Sequence, residues 1–411
     1  MVLTISVELK ERINRVAAPL RGNGRGWALV AIALGWLLIL GMRITIPVLL
    51  PGIKRTFEID NATAGFTITV IWAVYGLSQF PAGLLSDRIG GRKVLLASLA
   101  VMTVSVGALA AAPLFILFLG MAALVGVGNG LYGPTRGTLL SSLYPVNDSA
   151  AIGFTLAVGS LGAAVLPILA GAVMSRFGWR VTIAGAVPLL LATTALAWRV
   201  VPRTAGDVAD EASAYPHRRF RSLLSAIGRR PVALGVGGKT VRVFVFQGLS
   251  AFLPTYLITV KGISEVTASG LFSILFVSGA VTQVGGGRAV TRYGNRTVLV
   301  ALAGVSVLPL LALPFVSGLF PIAVVIVLVG IQLGVTPVTN TYIINALPPE
   351  NRNSAWGFLR TGYFLVASTG SVFVGVLADA GYFDGALLAL GGLLAVVALI
   401  FAFLPELPSE E

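Results

Sequence analysis

Five basic side chains fall inside stretches that are otherwise apolar: Arg43, Arg136, Lys239, Arg242 and Arg360. No aspartate or glutamate falls well inside any of these stretches. A charge in apolar surroundings is costly unless it is paired or hydrated. With no carboxylate in reach, the partner these residues call for is an anion from outside. Arginine suits that task, because its planar fork matches a carboxylate or phosphate with two parallel hydrogen bonds. Lys239 and Arg242 are three residues apart, so on a helix they share a face and repel. Arg136 and Arg360 also stand close enough to the ends of their stretches to snorkel. Uncharged polar residues lie in the same stretches: Tyr75, Gln79, Gln283, Tyr342 and Asn345, with Asn129, Tyr132, Gln332, Asn340 and Tyr363. They could line one pocket with the cations, although each singly would serve equally as a hydrogen bond between helices. The aromatic residues read as ordinary lipid-facing or core side chains.

Little else in the chain is chemically capable. There is no cysteine, hence no disulfide, thiolate metal site or cysteine nucleophile. The single histidine, His217, sits in a basic polar stretch. No catalytic residue, metal site or cofactor is expected, and an enzyme has no supporting constellation.

The elements that must position the cations follow from composition. Of 411 residues, 56% are hydrophobic and 11% charged, with a mean hydropathy of +0.92. A soluble domain carries about 25% charged residues. So little charge cannot cover a water-facing surface, which excludes soluble enzymes, DNA-binding proteins and secreted scaffolds; disorder is excluded by the same numbers. Residues 94–135 and 297–349 contain no charge at all. Each is long enough for two crossings of ~20 residues. Turn signals break them at Ala112-Pro113 and at Pro314 to Gly318. Applied to the whole chain, this reading gives twelve spans: 27–51, 63–85, 92–112, 114–138, 149–174, 180–200, 232–258, 266–286, 297–315, 319–344, 353–378 and 384–404. All must be helical, because lipid offers no other partner for backbone polar groups outside a closed barrel, and these are not short alternating segments.

The net charge of +13 is explained by where it lies. Nineteen lysines and arginines fall on one side of the spans; only Lys54, Arg55, Arg176, Arg180 and Lys261 fall on the other. The positive-inside rule then puts both ends and the middle loop in the cytoplasm. The charge sets topology and meets anionic lipid, with no role in nucleic-acid binding. Lys10, Glu11, Arg12 and Arg15 interrupt any signal-peptide core, and residues 5–20 fit a short amphipathic surface helix.

The polar stretch 202–231 divides the spans six and six, and a gap-free offset of 204 residues relates the halves. It pairs Ile59 with Ile263, Thr63 with Thr267, Gln79 with Gln283, Arg88 with Arg292, Gly90 with Gly294, Gly126 with Gly330, Gly130 with Gly334 and Gly171 with Gly375. A site at the midplane between two such halves can open to either side when they rock.

Residues 83–93 read Gly83-Leu84-Leu85-Ser86-Asp87-Arg88-Ile89-Gly90-Gly91-Arg92-Lys93. This resembles the signature between helices 2 and 3 of the major facilitator superfamily, Gly-x-x-x-Asp-Arg-x-Gly-Arg-Arg/Lys, with Gly91 where the first basic residue is usual. A decayed copy spans 287–296, with Thr291 in the acid's place. Pro145 to Asp148 and Pro349 to Arg352 are similar to the family's short loops after helices 4 and 10. The resemblance covers the whole chain. It implies a transporter working by alternating access, and a latch that holds the cytoplasmic side shut. The latch residues would be Gly83, Asp87, Arg88, Gly90, Arg92, Arg292 and Glu350, with Arg136 as the partner of Asp87. Glycines at 83 and 90 permit a tight turn and close helix approach. Asp87 can pair with arginine or accept from a helix N-terminus.

In this superfamily helices 1 and 7 line the central cavity, so Arg43 and Arg242 would face one substrate from two sides. Their depths are not symmetric: at the 204 offset Arg43 matches Gln247 and Arg242 matches Leu38. The pattern is similar to the organophosphate exchangers and organic-anion symporters of the superfamily. Phe252 to Leu257 and Lys261 to Ser264 look like helix 7 of the organic-anion group. Gly159-Ser160-Leu161-Gly162 and Leu166-Pro167 only partly resemble the antiporter signature, which leaves exchange against uniport undecided.

The expectation is an all-α integral membrane protein with twelve transmembrane helices in two six-helix bundles. Residues 1–26 form a cytoplasmic segment, 27–200 the first bundle, 201–231 a cytoplasmic linker, 232–404 the second bundle and 405–411 a cytoplasmic tail. It would be a multi-pass plasma-membrane monomer in contact with the lipid bilayer, moving a small organic or phosphorylated anion. The substrate-facing residues would be Arg43, Arg242, Lys239, Arg360, Tyr75, Gln79, Gln283, Tyr342 and Asn345. The alternative is an exporter of apolar or cationic compounds in which the arginines are structural. The absence of a membrane-embedded acid weighs against it.

Overall fold

The computed structural model describes residues 25–203, 228–348 and 352–406, and among them all regular structure is helical. The first half comprises α1 (Gly26–Phe57), α2 (Asn61–Ile89), α3 (Gly91–Ala111), α4 (Phe115–Leu143), α5 (Asp148–Ala184) and α6 (Ala186–Val200). The second comprises α7 (Arg230–Thr259), α8 (Glu265–Gly304), α9 (Val307–Ala312), α10 (Leu319–Gly330), a 3₁₀ turn (Ile331–Gly334), α11 (Val335–Ala346), α12 (Arg352–Ser368), α13 (Gly370–Asp379) and α14 (Phe383–Ala402). Glu350, the amphipathic reading of residues 5–20, and the greater part of the expected linker and tail lie outside the described residues.

Ten stretches among the described residues are long and apolar enough to cross a membrane. Two of these, Asp148–Val200 and Glu265–Ala312, run to 53 and 48 residues. Each is interrupted by a glycine with non-helical backbone: Gly178 (φ 78°, ψ 168°) and Gly294 (φ 77°, ψ 161°). The outer faces are apolar, with Val104, Ile116, Leu308 and Phe320 exposed, as a surface covered by lipid requires.

The repeat is written in the backbone as well as in the sequence. Left-handed or positive-φ residues recur at the same offset: Glu58 (φ 52°) with Gly262 (φ 66°), and Gly90 (φ 92°) with Gly294. Both halves start their second helix with the same cap. Asp60 accepts from the Thr63 amide at 2.7 Å, and Ser264 accepts from the Thr267 amide at 3.3 Å. Close approach recurs too. A Cβ added to Gly126 would stand 2.6 Å from the Ile71 carbonyl, and one added to Gly330 would stand 2.6 Å from that of Leu275, its equivalent.

Within the first half α1 packs chiefly on α5, and α4 on α2 and α3. The halves meet along α2 against α12 and α13, along α5 against α8, and where α1 touches α7. Arg25, Tyr144, Ala346 and Pro405 mark one end of the molecule, here the terminal side. Residues 54–61, 260–265 and 379–384 mark the far side. The motif loop at Gly90 and its copy at Gly294 both lie on the terminal side.

Candidate functional site

A cavity of about 370 Å³ opens between the halves near mid-depth. Its wall takes side chains from α1, α2, α4 and α5 on one side, and from α7, α8, the 3₁₀ turn, α11 and α12 on the other. All five basic residues that interrupt the apolar stretches line it, and no aspartate or glutamate does. Arg43, Arg136, Lys239 and Arg242 are only 3–9% exposed, and Arg360 is partly buried. Helical spacing gathers them. Trp36, Leu40 and Arg43 recur at four and three residues along α1, and Lys239, Arg242 and Phe246 at three and four along α7.

The first-half cations stand on aromatic rings. The Arg43 guanidinium lies 4.1 Å from the Trp72 ring centre and 4.4 Å from that of Tyr75. Arg136 lies 4.1 Å above Trp36. Trp36 in turn stacks on Tyr132 at 6.2 Å, and the Tyr132 hydroxyl donates to the Ile32 carbonyl at 2.6 Å. Cation–π contacts of this kind contribute roughly 0.5–2 kcal/mol each. They occupy the faces of the guanidinium groups and leave part of each edge open. Nε and Nη1 of both Arg43 and Arg136 are buried and have no acceptor.

The second-half cations are tied by hydrogen bonds to uncharged groups. Lys239 donates to the Asn340 side chain. Arg242 donates to the Thr336 hydroxyl at 2.7 Å and to the Gln332 carbonyl at 3.2 Å. That carbonyl is presented by the 3₁₀ turn, where the helical ladder is locally rewound. Arg360 crosses between the halves, donating to the Tyr75 hydroxyl at 3.1 Å.

Of the expected substrate-facing residues, the structure brings together Arg43, Arg242, Lys239, Arg360, Tyr75 and Gln283. Gln79 is buried beside the cavity near Gly133, both of its amide atoms unpartnered. Two assignments are corrected. Tyr342 turns away from the cavity and donates to the Pro405 carbonyl at 2.7 Å, because its face of α11 packs on the chain end. Asn345 is exposed near the end of α11, outside the cavity wall. The Arg136 side chain folds inward over Trp36 and makes no ion pair with Asp87 in this conformation. Trp36, Trp72, Phe246, Phe364 and Thr336 also line the cavity and were not singled out in the sequence. A second space, about 410 Å³ between α1, α5 and α6, has no charged side chain in its wall.

The cavity is shut on the far side. Asp379, at the end of α13, accepts from the backbone amides of Asn61 (2.9 Å) and Ala62 (2.7 Å) and from the Asn61 side chain (2.7 Å). A carboxylate from one half thus caps the N-terminus of α2 in the other, where the helix dipole favours it. Arg55 and Glu265 form an exposed ion pair at 3.2 Å nearby, and the Thr69 hydroxyl donates to the Ser368 carbonyl at 2.7 Å. On the terminal side the motif is loose. Asp87, Arg88 and Arg292 are exposed and make no hydrogen bond or ion pair among the described residues, and nothing lies within 4 Å of a Cβ built on Gly83. Arg92 reaches the Trp198 carbonyl at 2.5 Å within its own half. Gly90 supplies the positive φ of the turn.

Two repeated helical halves around a mid-depth cavity, closed at one end, define a multi-pass membrane transporter. The family model of the Major Facilitator Superfamily matches residues 31–331 and again 262–411, and the chain belongs to that superfamily. It is 26% identical over 431 residues to the multidrug efflux pump LfrA of Mycolicibacterium smegmatis, covering 90% of this chain and 84% of that one. It is 24% identical over 380 residues to the hexuronate transporter of Bacillus subtilis, covering 85% and 87%. Its fold is similar to that of a bacterial homolog of the lysosomal transporter Spinster in an inward-facing, unoccupied conformation (TM-score 0.76, 16% identity, 93% and 97% covered). It is also similar to the nucleoside transporter NupG (TM-score 0.75, 14% identity, 91% and 98% covered).

Proposed function

We propose that this protein is a secondary or facilitative transporter of a small organic or phosphorylated anion, working by alternating access. The observation that carries this reading is the sign of the cavity: five cations and no carboxylate in its wall. A cationic substrate would find no counter-charge there. An anion would find guanidinium edges that lack acceptors, in a place where an unpaired charge is costly. The relatives divide on this point. One is named as a multidrug efflux pump, which agrees with the aromatic wall, and the other as a hexuronate transporter, which agrees with the cations.

The two long helices interrupted at Gly178 and Gly294 each supply two crossings. A straight helix of about 50 residues would span ~75 Å, against a hydrocarbon core of ~30 Å. The chain then crosses twelve times as two six-helix bundles in the plasma membrane, with the basic terminal side in the cytoplasm. The conformation is therefore cytoplasm-open, with Asp379 clasping the outer side and the Asp87 latch released. Side chains of one chain line the cavity, which agrees with a protein that works as a monomer.

Uptake into proteoliposomes tests the function. Glucuronate or glycerol phosphate should be taken up, and the Arg43→Gln/Arg242→Gln double variant should fail while folding normally. Transport of tetraphenylphosphonium with no anion transported would instead establish the cation-export reading.

A further inference from the structure

We propose that the substrate carries at least two negative charges, on separate groups at opposite ends of a compact apolar body. This rests on the anion reading above and goes a step beyond it. The first ground is stoichiometry. Four arginines and a lysine offer about 23 N–H donors, while one carboxylate offers about four acceptor sites. The protein itself supplies few acceptors, among them the Asn340, Thr336, Tyr75 and Tyr363 side chains and the Gln332 carbonyl. A single anionic group would leave a large excess of donors and four uncompensated charges.

The second ground is position. The cations form two poles. Arg43 and Arg136 belong to the first half, on Trp72, Tyr75 and Trp36. Lys239 and Arg242 belong to the second, held by groups on α11 and the turn before it. Arg360 lies between, in electrostatic reach of Arg43, Arg136 and Lys239. The two poles stand on different halves, with Arg360 linking them. Apolar side chains, among them Ile44, Val243, Phe276 and Leu333, share the wall with the cations. At about 370 Å³ the space fits a compact molecule, being at the lower end of the ~300–1,000 Å³ usual for small-molecule sites. A substrate charged at both ends and apolar in the middle matches this layout. It also gives the halves a reason to close, since one ligand then bridges cations on both.

Thermal stabilisation of the purified full-length protein by a matched set of benzene derivatives tests this, since a binder raises the melting temperature with concentration. The probes are terephthalate (two charges), benzoate (one), terephthalamide (none) and benzyltrimethylammonium (positive). Terephthalate is expected to bind about tenfold or more tighter than benzoate, as one further charge-assisted hydrogen-bonded group provides. Terephthalamide and the cation should give no shift. In Lys239→Gln, terephthalate should lose its advantage over benzoate; Arg242→Gln gives a second variant of the same pole. Equal affinities for benzoate and terephthalate would overturn the two-charge inference and leave the anion reading standing. Binding of the cation or the diamide at the strength of terephthalate would overturn both. No shift from any of the four would overturn the inference.

Discussion

The two halves share a frame and differ in wiring at three equivalent positions. In the first half they are Gly35, Tyr132 and Arg136; at the 204 offset they are Lys239, Thr336 and Asn340. Tyr132 reaches across to α1, and a Cβ on Gly35 would collide with its ring. One cation of that half stands on α4, as Arg136 on Trp36, beside Arg43 on α1. In the second half the tyrosine is replaced by threonine, and the cation moves to α7 as Lys239, facing Asn340 at the position of Arg136. In the first half Nε and Nη1 of both arginines lack acceptors, while in the second Lys239 and Arg242 are tied to neutral oxygens and Arg242 Nε is left without one. A duplicated scaffold can thus keep its backbone and change which positions carry charge. On the proposed anion reading, the first half offers the guanidinium atoms without acceptors and the second completes the shell.

Breaking that contrast should give the largest effect. Arg43→Gln or Arg136→Gln should weaken anion binding about 100-fold, since each removes charge-assisted hydrogen bonds worth ~1.5–3 kcal/mol apiece. Arg242→Gln should cost about tenfold, because that side chain already spends donors on Thr336 and Gln332. Equilibrium binding of a radiolabelled anion checks the order, and equal losses would erase the distinction between the halves.

Where the halves are alike, effects should match. Gly126→Val and Gly330→Val each drive a side chain into a carbonyl 2.6 Å away, and at Gly330 the Ser278 hydroxyl, closer still to the added Cβ, has to rotate aside as well. Each should destabilise by about 1–3 kcal/mol, as overpacking does. Melting curves of the two variants should nearly coincide. A large gap would mean that the close approach matters in only one half.

The two ends of the molecule should respond in opposite directions. Asp379→Asn loosens the cap on α2 and should raise accessibility of far-side engineered cysteines several-fold. Asp87→Ala should favour the terminal-open state, because its latch forms only when that side closes. Labelling of engineered cysteines at both ends reads the two shifts, and movement in the same direction would refute the assignment of opposed clasps.

The smallest contrast lies in the caps. Hydrogen bonds from the Thr63 hydroxyl and then its amide hold the Asp60 carboxyl below the usual carboxylate range. A lowered folded value stabilises at and above the ordinary carboxylate pKa and is lost as pH falls through the lowered value. Ser264 has no such dependence. Hydrogen exchange at acid pH should therefore show the first turn of α2 fraying before that of α8.

Much of this was legible from residue type. Charge-free runs marked the spans, the 204 offset marked the halves, and the cations in apolar stretches marked the cavity. The aromatic shelves were not read, although Trp36 and Arg43 are seven residues apart, two helical turns, and so share a face. The depth of Arg136 along α4 suits either the latch or the cavity, and in this conformation the Trp36 ring beneath it holds it in the cavity. Tyr342 shares a face of α11 with packing residues, and nothing in its neighbours foretells that it meets the chain end at Pro405.

The central claim is that an anion, and not a cation, is held between the cations of the two halves. Intrinsic fluorescence reads this directly, because Trp72 and Trp36 each lie 4.1 Å from a cavity arginine. Titration of the purified protein with a panel of organic carboxylates and phosphate esters should give a saturable change for at least one. That change should be absent for tetraphenylphosphonium and lost in Arg43→Gln/Arg242→Gln. A saturable response to the cation, with none to any anion, would contradict the account.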